Sequence, residues 1–211
     1  MAIDGGAGSG KSTLARRLAA TLGLPYVNTG AMYRALTLAA RRRGVNLEDG
    51  SALAAEMRTL EFTVSGPGPG ELWIDGAPPS LDLESPDVEA IVSIVAAHPE
   101  VRAVMRASQR QLGAAGAVME GRDIGTVVFP DATVKLFLEA DPADRAGRRA
   151  LEREHDAAAG DLHERDRRDE RVNPLVPADD AIVIDTSELG VDETVRAALD
   201  VIADRAPELL P

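Results

Sequence analysis

Cysteine is absent from the 211-residue chain, which excludes a disulfide framework and any cysteine-based zinc or iron–sulfur centre. The three histidines, His98, His155 and His163, stand at no familiar metal-ligand spacing. Aromatic residues make up only 3% of the chain, so its 45% of hydrophobic residues must build a core mainly from Ala, Val, Ile and Leu. Such a core suits helices packed on a parallel sheet better than an aromatic-rich sandwich. No apolar run approaches the ~18 residues of a membrane helix, and no signal peptide precedes the first motif. A cytoplasmic protein with no membrane partner is expected. Lysine is nearly missing too: Lys11 and Lys135 stand alone, and 21 of the 23 basic residues are arginines. The net charge of −12 argues against a nucleic-acid partner, because affinity for a phosphate backbone comes from excess cations. The length suits one large domain, or a core with a smaller insertion.

The pattern of what is present alternates strands with helices. Met1–Asp4 reads as a short buried strand running into a glycine-rich turn, and Leu14, Leu18 and Leu22 mark a helix stopped by Gly23. A second strand, Leu24–Asn28, precedes a helix over Gly30–Arg43, and Ser51–Leu60 reads as a small helix. Glu61–Ser65 and Glu71–Asp75 then alternate apolar and polar residues around Gly66-Pro67-Gly68-Pro69-Gly70, the signature of an antiparallel hairpin. Helices beginning at Pro86 and Pro99 follow. Ala117–Glu120, Val134–Glu139 and Ala181–Asp185 read as interior strands, and Val191–Arg205 as a closing helix. Arginine-rich helices are expected over Ala143–Arg153 and Leu162–Arg171. The organisation is a parallel α/β core with an insertion and an arginine-rich arm.

Four groups of residues carry chemistry. Gly5-Gly6-Ala7-Gly8-Ser9-Gly10-Lys11-Ser12 is a complete G-x-x-x-x-G-K-[ST] between a strand and a helix, continued by Thr13. Its backbone N–H groups can converge on phosphates at the helix N-terminus, with Lys11 on the outer phosphates and Ser12 on Mg²⁺. A loop of this kind is expected to bind a nucleoside triphosphate. No N-K-x-D guanine motif and no L-S-G-G-Q signature accompany it. Asn28-Thr29-Gly30-Ala31-Met32-Tyr33-Arg34 opens the next helix, an anion-friendly place, with Arg34 one turn in. Glu120-Gly121-Arg122-Asp123-Ile124-Gly125-Thr126 lies at the carboxyl end of an expected core strand, the edge where open α/β sheets bind ligands. Finally, Arg145, Arg148, Arg149, Arg153, Arg165, Arg167, Arg168 and Arg171 cluster in an otherwise acidic chain. Coding bias explains their identity but not their clustering, which calls for a polyanion nearby.

With these residues in view, the sequence resembles the bacterial cytidylate kinases over nearly its whole length. The matching runs are Ile3–Thr13, Asn28–Arg34, Val92-Ser93 through Pro99–Arg102, Gln109-Arg110, Glu120–Pro130, Arg145–Arg149 and Asp180–Ser187. The resemblance implies a P-loop α/β fold with a five-stranded parallel sheet. Its core would be 1–44, 116–144 and 173–211, with an NMP-binding insertion at 45–115 carrying a small antiparallel sheet and a lid at 145–172. It implies ATP as phosphoryl donor and CMP and dCMP as acceptors. Gly5–Thr13 would bind ATP, and Ser12 would meet Mg²⁺ at the nucleotide phosphates. Arg34 and Arg122 would hold the acceptor phosphate, with Thr29 beside them. Ser93, Arg102 and Asp123 would read cytosine, and Arg165 with Asp169 would hold the ribose. Lys11, Arg122, Arg145 and Arg149 would neutralise charge during transfer.

The chain departs from the family pattern in three places. Asp169, Arg171, Pro174 and Leu175 are two residues closer than the usual D-x-x-R-x-x-x-P-L, so Arg171 does not align with the family's last phosphate-binding arginine. The link between the two lid helices is several residues short. Glu84 stands before Ser85-Pro86 where related chains usually carry arginine. The expected chemistry is positioning and charge neutralisation of an in-line phosphoryl transfer by a monomer. The alternatives are another acceptor, such as UMP, and a nucleotide-responsive binding module that has lost transfer.

Overall fold

A computed structural model describes residues 1–66, 69–141, 144–145 and 175–211. Most of the arginine-rich arm, including Arg148, Arg149, Arg153, Arg165, Arg167, Arg168, Asp169 and Arg171, lies outside the described residues.

Strand β1 (Ala2–Gly5) feeds the glycine loop and helix α1 (Lys11–Leu22). Gly23, at φ 64°, ends α1 in the left-handed conformation and returns its N–H to the Ala19 carbonyl. Strand β2 (Tyr26–Asn28) runs directly into α2 (Thr29–Arg43), where the Asn28 side chain caps by accepting from the Ala31 N–H at 3.0 Å. Asp49 does the same for α3 (Gly50–Met57) through Ala52 at 2.9 Å. The hairpin is β3 (Phe62–Ser65) and β4 (Glu71–Ile74); α4 (Pro86–Ala97) and α5 (Pro99–Gly113) both open on proline at the first turn. Strand β5 (Val118–Gly121) is followed by a π-helical turn, Ile124–Val128. Strands β6 (Lys135–Glu139) and β7 (Ile182–Asp185) and helix α6 (Val191–Arg205) complete the described chain.

The strands form one sheet in the order β3-β4-β2-β5-β1-β6-β7. This corrects the expected count of five to seven. Six strands, from β4 to β7 in that order, run parallel, and β3 alone is antiparallel to its neighbour. The hairpin, however, does not form a separate small sheet, because β4 joins the β2 edge through the Tyr26–Glu71 pair. Left alone, β2 would expose a row of unpaired backbone groups, and the hairpin covers part of that edge.

Alternation along the strands builds two cores. Ala2, Val27 and Met119 face α2, α3, α4 and α5, packing with Met32, Leu36, Leu53, Met57, Val95 and Met105. Their neighbours Ile3, Tyr26 and Val118 face the other way, onto Leu14 and Leu18 of α1 and Ala198 and Ile202 of α6. The largest fully buried side chains are all Ile, Leu or Met. No described helix is long and apolar enough to cross a membrane.

Candidate active site

The carboxyl ends of β1, β2 and β5 open into one cleft of about 830 Å³. Its wall on the β1 side is the glycine loop. Gly8 and Gly10 take positive φ angles of 74° and 89°, and a Cβ on Gly8 would lie 2.7 Å from the Arg145 carbonyl oxygen. Only glycine permits this curl together with the close approach of the 144–145 backbone. The Lys11 ammonium donates to the Gly6 carbonyl, within its own loop. Arg145, a candidate from the sequence, lies over the loop and reaches the Ala7 carbonyl at 3.4 Å. From below, the buried Thr186 hydroxyl donates to the Ser9 carbonyl at 3.2 Å and that of Glu139 at 3.0 Å, tying the loop to β6 and the end of β7.

Ser12 and Glu120 join the loop to β5. The Ser12 hydroxyl donates to Glu120 Oε2 at 2.8 Å, while the Tyr26 hydroxyl donates to Oε1. Arg16 lies 5.2 Å over the Tyr26 ring centroid, a cation–π contact that holds the ring in place. Burial raises the Tyr26 hydroxyl far above the usual phenol range, with the Glu120 charge adding to it, so it remains a donor.

The opposite wall comes from α2, α4, α5 and the turn after β5. Thr29, Arg34, Ser93, Arg102, Arg122 and Asp123 all line the cleft. These are the six described members of the expected acceptor set, drawn from four elements. Arg102 donates to Asp123 at 2.7 Å, and Arg34 lies 3.8 Å from Glu89. The Thr29 hydroxyl donates to the Glu120 carbonyl at 2.7 Å, so it braces β2 against β5 as well as lining the cleft. Tyr33 stands beside the Arg102–Asp123 pair, and burial pushes its hydroxyl up to about 12, opposed in part by Arg102.

The turn that carries Arg122 and Asp123 is fixed at both ends. At its start, Asp4 accepts from the Ile124 N–H at 2.8 Å and the Gly125 N–H at 2.7 Å. At its end, Arg110 donates to the carbonyls of Val128 and Val127 at 2.9 and 2.8 Å. Burial is the main reason that the Asp4 carboxyl is raised to about 6; its two backbone donors and Lys11 oppose the rise, and Asp123 adds to it.

Sequence reasoning assigned no role to Asp4, Tyr26 or Glu120. A signal existed for two of them: an acidic residue closing an apolar strand, directly before a phosphate loop or at the ligand-binding edge, is costly to bury without a purpose. Tyr26 carried none, since a tyrosine in a buried strand reads as core. Arg149, Arg165 and Asp169 lie outside the described residues. Among the described residues no group of three or more His, Cys, Asp or Glu could hold a metal ion.

This geometry agrees with comparisons to known proteins. The family model described as cytidylate kinase matches residues 1–204. The chain is 42% identical to the cytidylate kinase of Shouchella clausii (strain KSM-K16), over 98% of this chain and 96% of that one. It is also 42% identical to the cytidylate kinase of Desulfitobacterium hafniense (strain Y51), over 97% and 93% of the two chains. A bifunctional pantoate ligase/cytidylate kinase of a Synechococcus species is 46% identical over 92% of this chain, which covers 38% of that longer protein. A phosphate loop facing an arginine-lined second site across the carboxyl edge of a parallel sheet, with matches spanning nearly the whole length, has one reading: the chain belongs to the cytidylate kinase family.

Proposed function

We propose that the protein transfers the γ-phosphoryl group of ATP to CMP and dCMP, giving CDP and dCDP, in pyrimidine nucleotide metabolism. The observation that carries this reading is the convergence of Lys11 and Ser12 with Arg34, Arg102, Arg122 and Asp123 in a single cleft. Two anionic substrates with reacting phosphates need such a bipolar cavity, cationic on both sides of the transferred group.

In this reading the Gly5–Ser12 backbone and Lys11 hold the donor phosphates. Arg34 and Arg122 hold the phosphate of the acceptor, which is already anionic and needs no strong general base. Ser93, Arg102 and Asp123 read the base. An ionised Asp123 accepts from the cytosine amino group, whereas uracil would turn a carbonyl toward it. Arg145 and Arg149 neutralise charge that builds during transfer, and Arg165 with Asp169 hold the ribose. Ser12 and Glu120 supply adjacent oxygens of the hard type that Mg²⁺ takes, and these two residues would hold it. Bound there, the cation would neutralise phosphate charge. The protein acts as a cytoplasmic monomer without nucleic-acid or membrane partners; its acidic composition supports the first of these exclusions.

A coupled assay of ADP release with CMP, dCMP, UMP and AMP tests the function. Turnover with CMP and dCMP well above UMP and AMP is expected. Equal rates with UMP would overturn the base assignment, and no turnover with any acceptor would leave a nucleotide-binding module.

A further inference from the structure

Asp4 does not touch the cleft. It is 6% exposed and sits at the end of β1, one residue before the glycine loop, opposite Gly121 in the parallel ladder. Burying a carboxylate is costly, and its burial raises its pKa. Both its oxygens are committed to consecutive backbone N–H groups, those of Ile124 and Gly125. These are the first two residues after Arg122-Asp123, so their amides fix where that dipeptide leaves the sheet. Space enforces the arrangement: a Cβ on Gly125 would lie 3.3 Å from Asp4 Oδ2 and 3.2 Å from the Lys135 side chain.

We propose that Asp4 is a positioning residue for the acceptor site, a rigid link that sets the Arg122-Asp123 turn at a fixed distance from the donor loop. The two substrates must approach in line, and a displacement of about an ångström between their binding groups is enough to impair transfer strongly. A carboxylate on the strand that feeds the donor loop, gripping the turn that carries the acceptor groups, couples both sites to one rigid strand. Charge-assisted bonds to two successive amides make the grip stiffer than a neutral side chain could. An asparagine would keep the size but turn an amide N–H toward one of the two donors, releasing one end of the grip.

The inference rests on the proposed acceptor role of Arg122 and Asp123, and the experiment separates the two. ADP and CMP binding would be measured separately by calorimetry for wild type, Asp4→Asn, Asp4→Ser and Arg122→Ala, each with its thermal midpoint. Amide exchange at Ile124 and Gly125 would be followed by NMR. For the Asp4 variants, CMP affinity should fall by about tenfold or more, as loss of oriented charge-assisted contacts does. ADP affinity should stay within about twofold, and exchange at both amides should quicken. Unchanged CMP affinity in folded Asp4 variants would overturn the inference. So would equal losses of ADP and CMP with a matching drop in midpoint, or failure of both variants to fold, since either marks Asp4 as structural only. If Arg122→Ala leaves CMP affinity intact, the acceptor assignment itself fails.

Discussion

Arg102 and Asp123 meet at 2.7 Å on one wall of the cleft, one from the first turn or so of α5 and the other from the turn after β5. Both side chains are largely shielded, at 17% and 18% exposure, so the pair is prearranged rather than assembled by the substrate. Asp123→Ala should remove the proposed partner of the cytosine amino group and the acceptor of the Arg102 hydrogen bond. CMP use should fall by about 1–3 kcal/mol in transition-state terms while UMP use changes little. Measuring kcat/KM for both acceptors at two Mg²⁺ concentrations checks this. Equal losses combined with a raised Mg²⁺ requirement would instead assign Asp123 to the metal.

Lys11→Ala should reduce transfer by about a hundredfold or more, the scale of losing one preorganised group at a developing charge. The side chain serves the glycine loop rather than either hydrophobic core. Circular dichroism and the thermal midpoint should therefore match wild type, and wild-type turnover would remove the loop from the mechanism.

Tyr26→Phe keeps the ring beneath Arg16 but deletes the hydroxyl that donates to Glu120. One oxygen of a buried carboxylate then lacks its donor, at a cost of about 1–3 kcal/mol. Urea unfolding should show the loss, and, with the proposed Mg²⁺ ligand Glu120 held at its side chain only through Ser12, turnover should need more Mg²⁺. A double change with Glu120→Gln should recover part of the stability.

Asp4 gives a pH signature. Its carboxyl is raised from an ordinary 3.8 to about 6, mainly by burial. Between these values the folded state holds the proton more tightly than the unfolded state. Asp4 thus lowers stability as pH rises through the window, and the loss is complete above about pH 6 to 7. Its size is about 3 kcal/mol. The unfolding free energy of Asp4→Asn relative to wild type should shift by up to this amount in favour of the variant between pH 4 and 7. A flat difference across that range would show that the carboxylate is not buried at a cost.

Much of this was legible in the chain because the signals were local. The G-x-x-x-x-G-K-[ST] run needs only its own backbone to announce a phosphate loop, and the hairpin at 61–75 is written in alternation and glycines. The span of α6 was read correctly to the residue, since apolar spacing and a capping glutamate define it. The strand count was not, because a hairpin's local pattern does not reveal which sheet edge it will join; that depends on the Tyr26–Glu71 pair, two residues far apart along the chain. Asp4 and Glu120 each leave a local trace, an acid closing an apolar strand, but not the contacts that give them their roles. Their partners, the Ile124 and Gly125 amides for Asp4 and Tyr26 and Ser12 for Glu120, are brought close by parallel pairing that no window along the chain contains.

The scarcity of lysine has a practical consequence. Lys135 is 7% exposed at its side chain, where its ammonium donates to the Pro130 carbonyl and to both oxygens of Asp180 at 2.8 Å. Such an amine is protected from electrophiles by enclosure and by its ion pair. Lys11 is then the one side-chain amine that opens on the cleft. With the Met1 α-amine engaged at the Ala117 carbonyl, a fluorescent acylating reagent would favour the donor loop, and the part of its attachment that a bound nucleotide suppresses would serve as an optical gauge of whether that loop is filled.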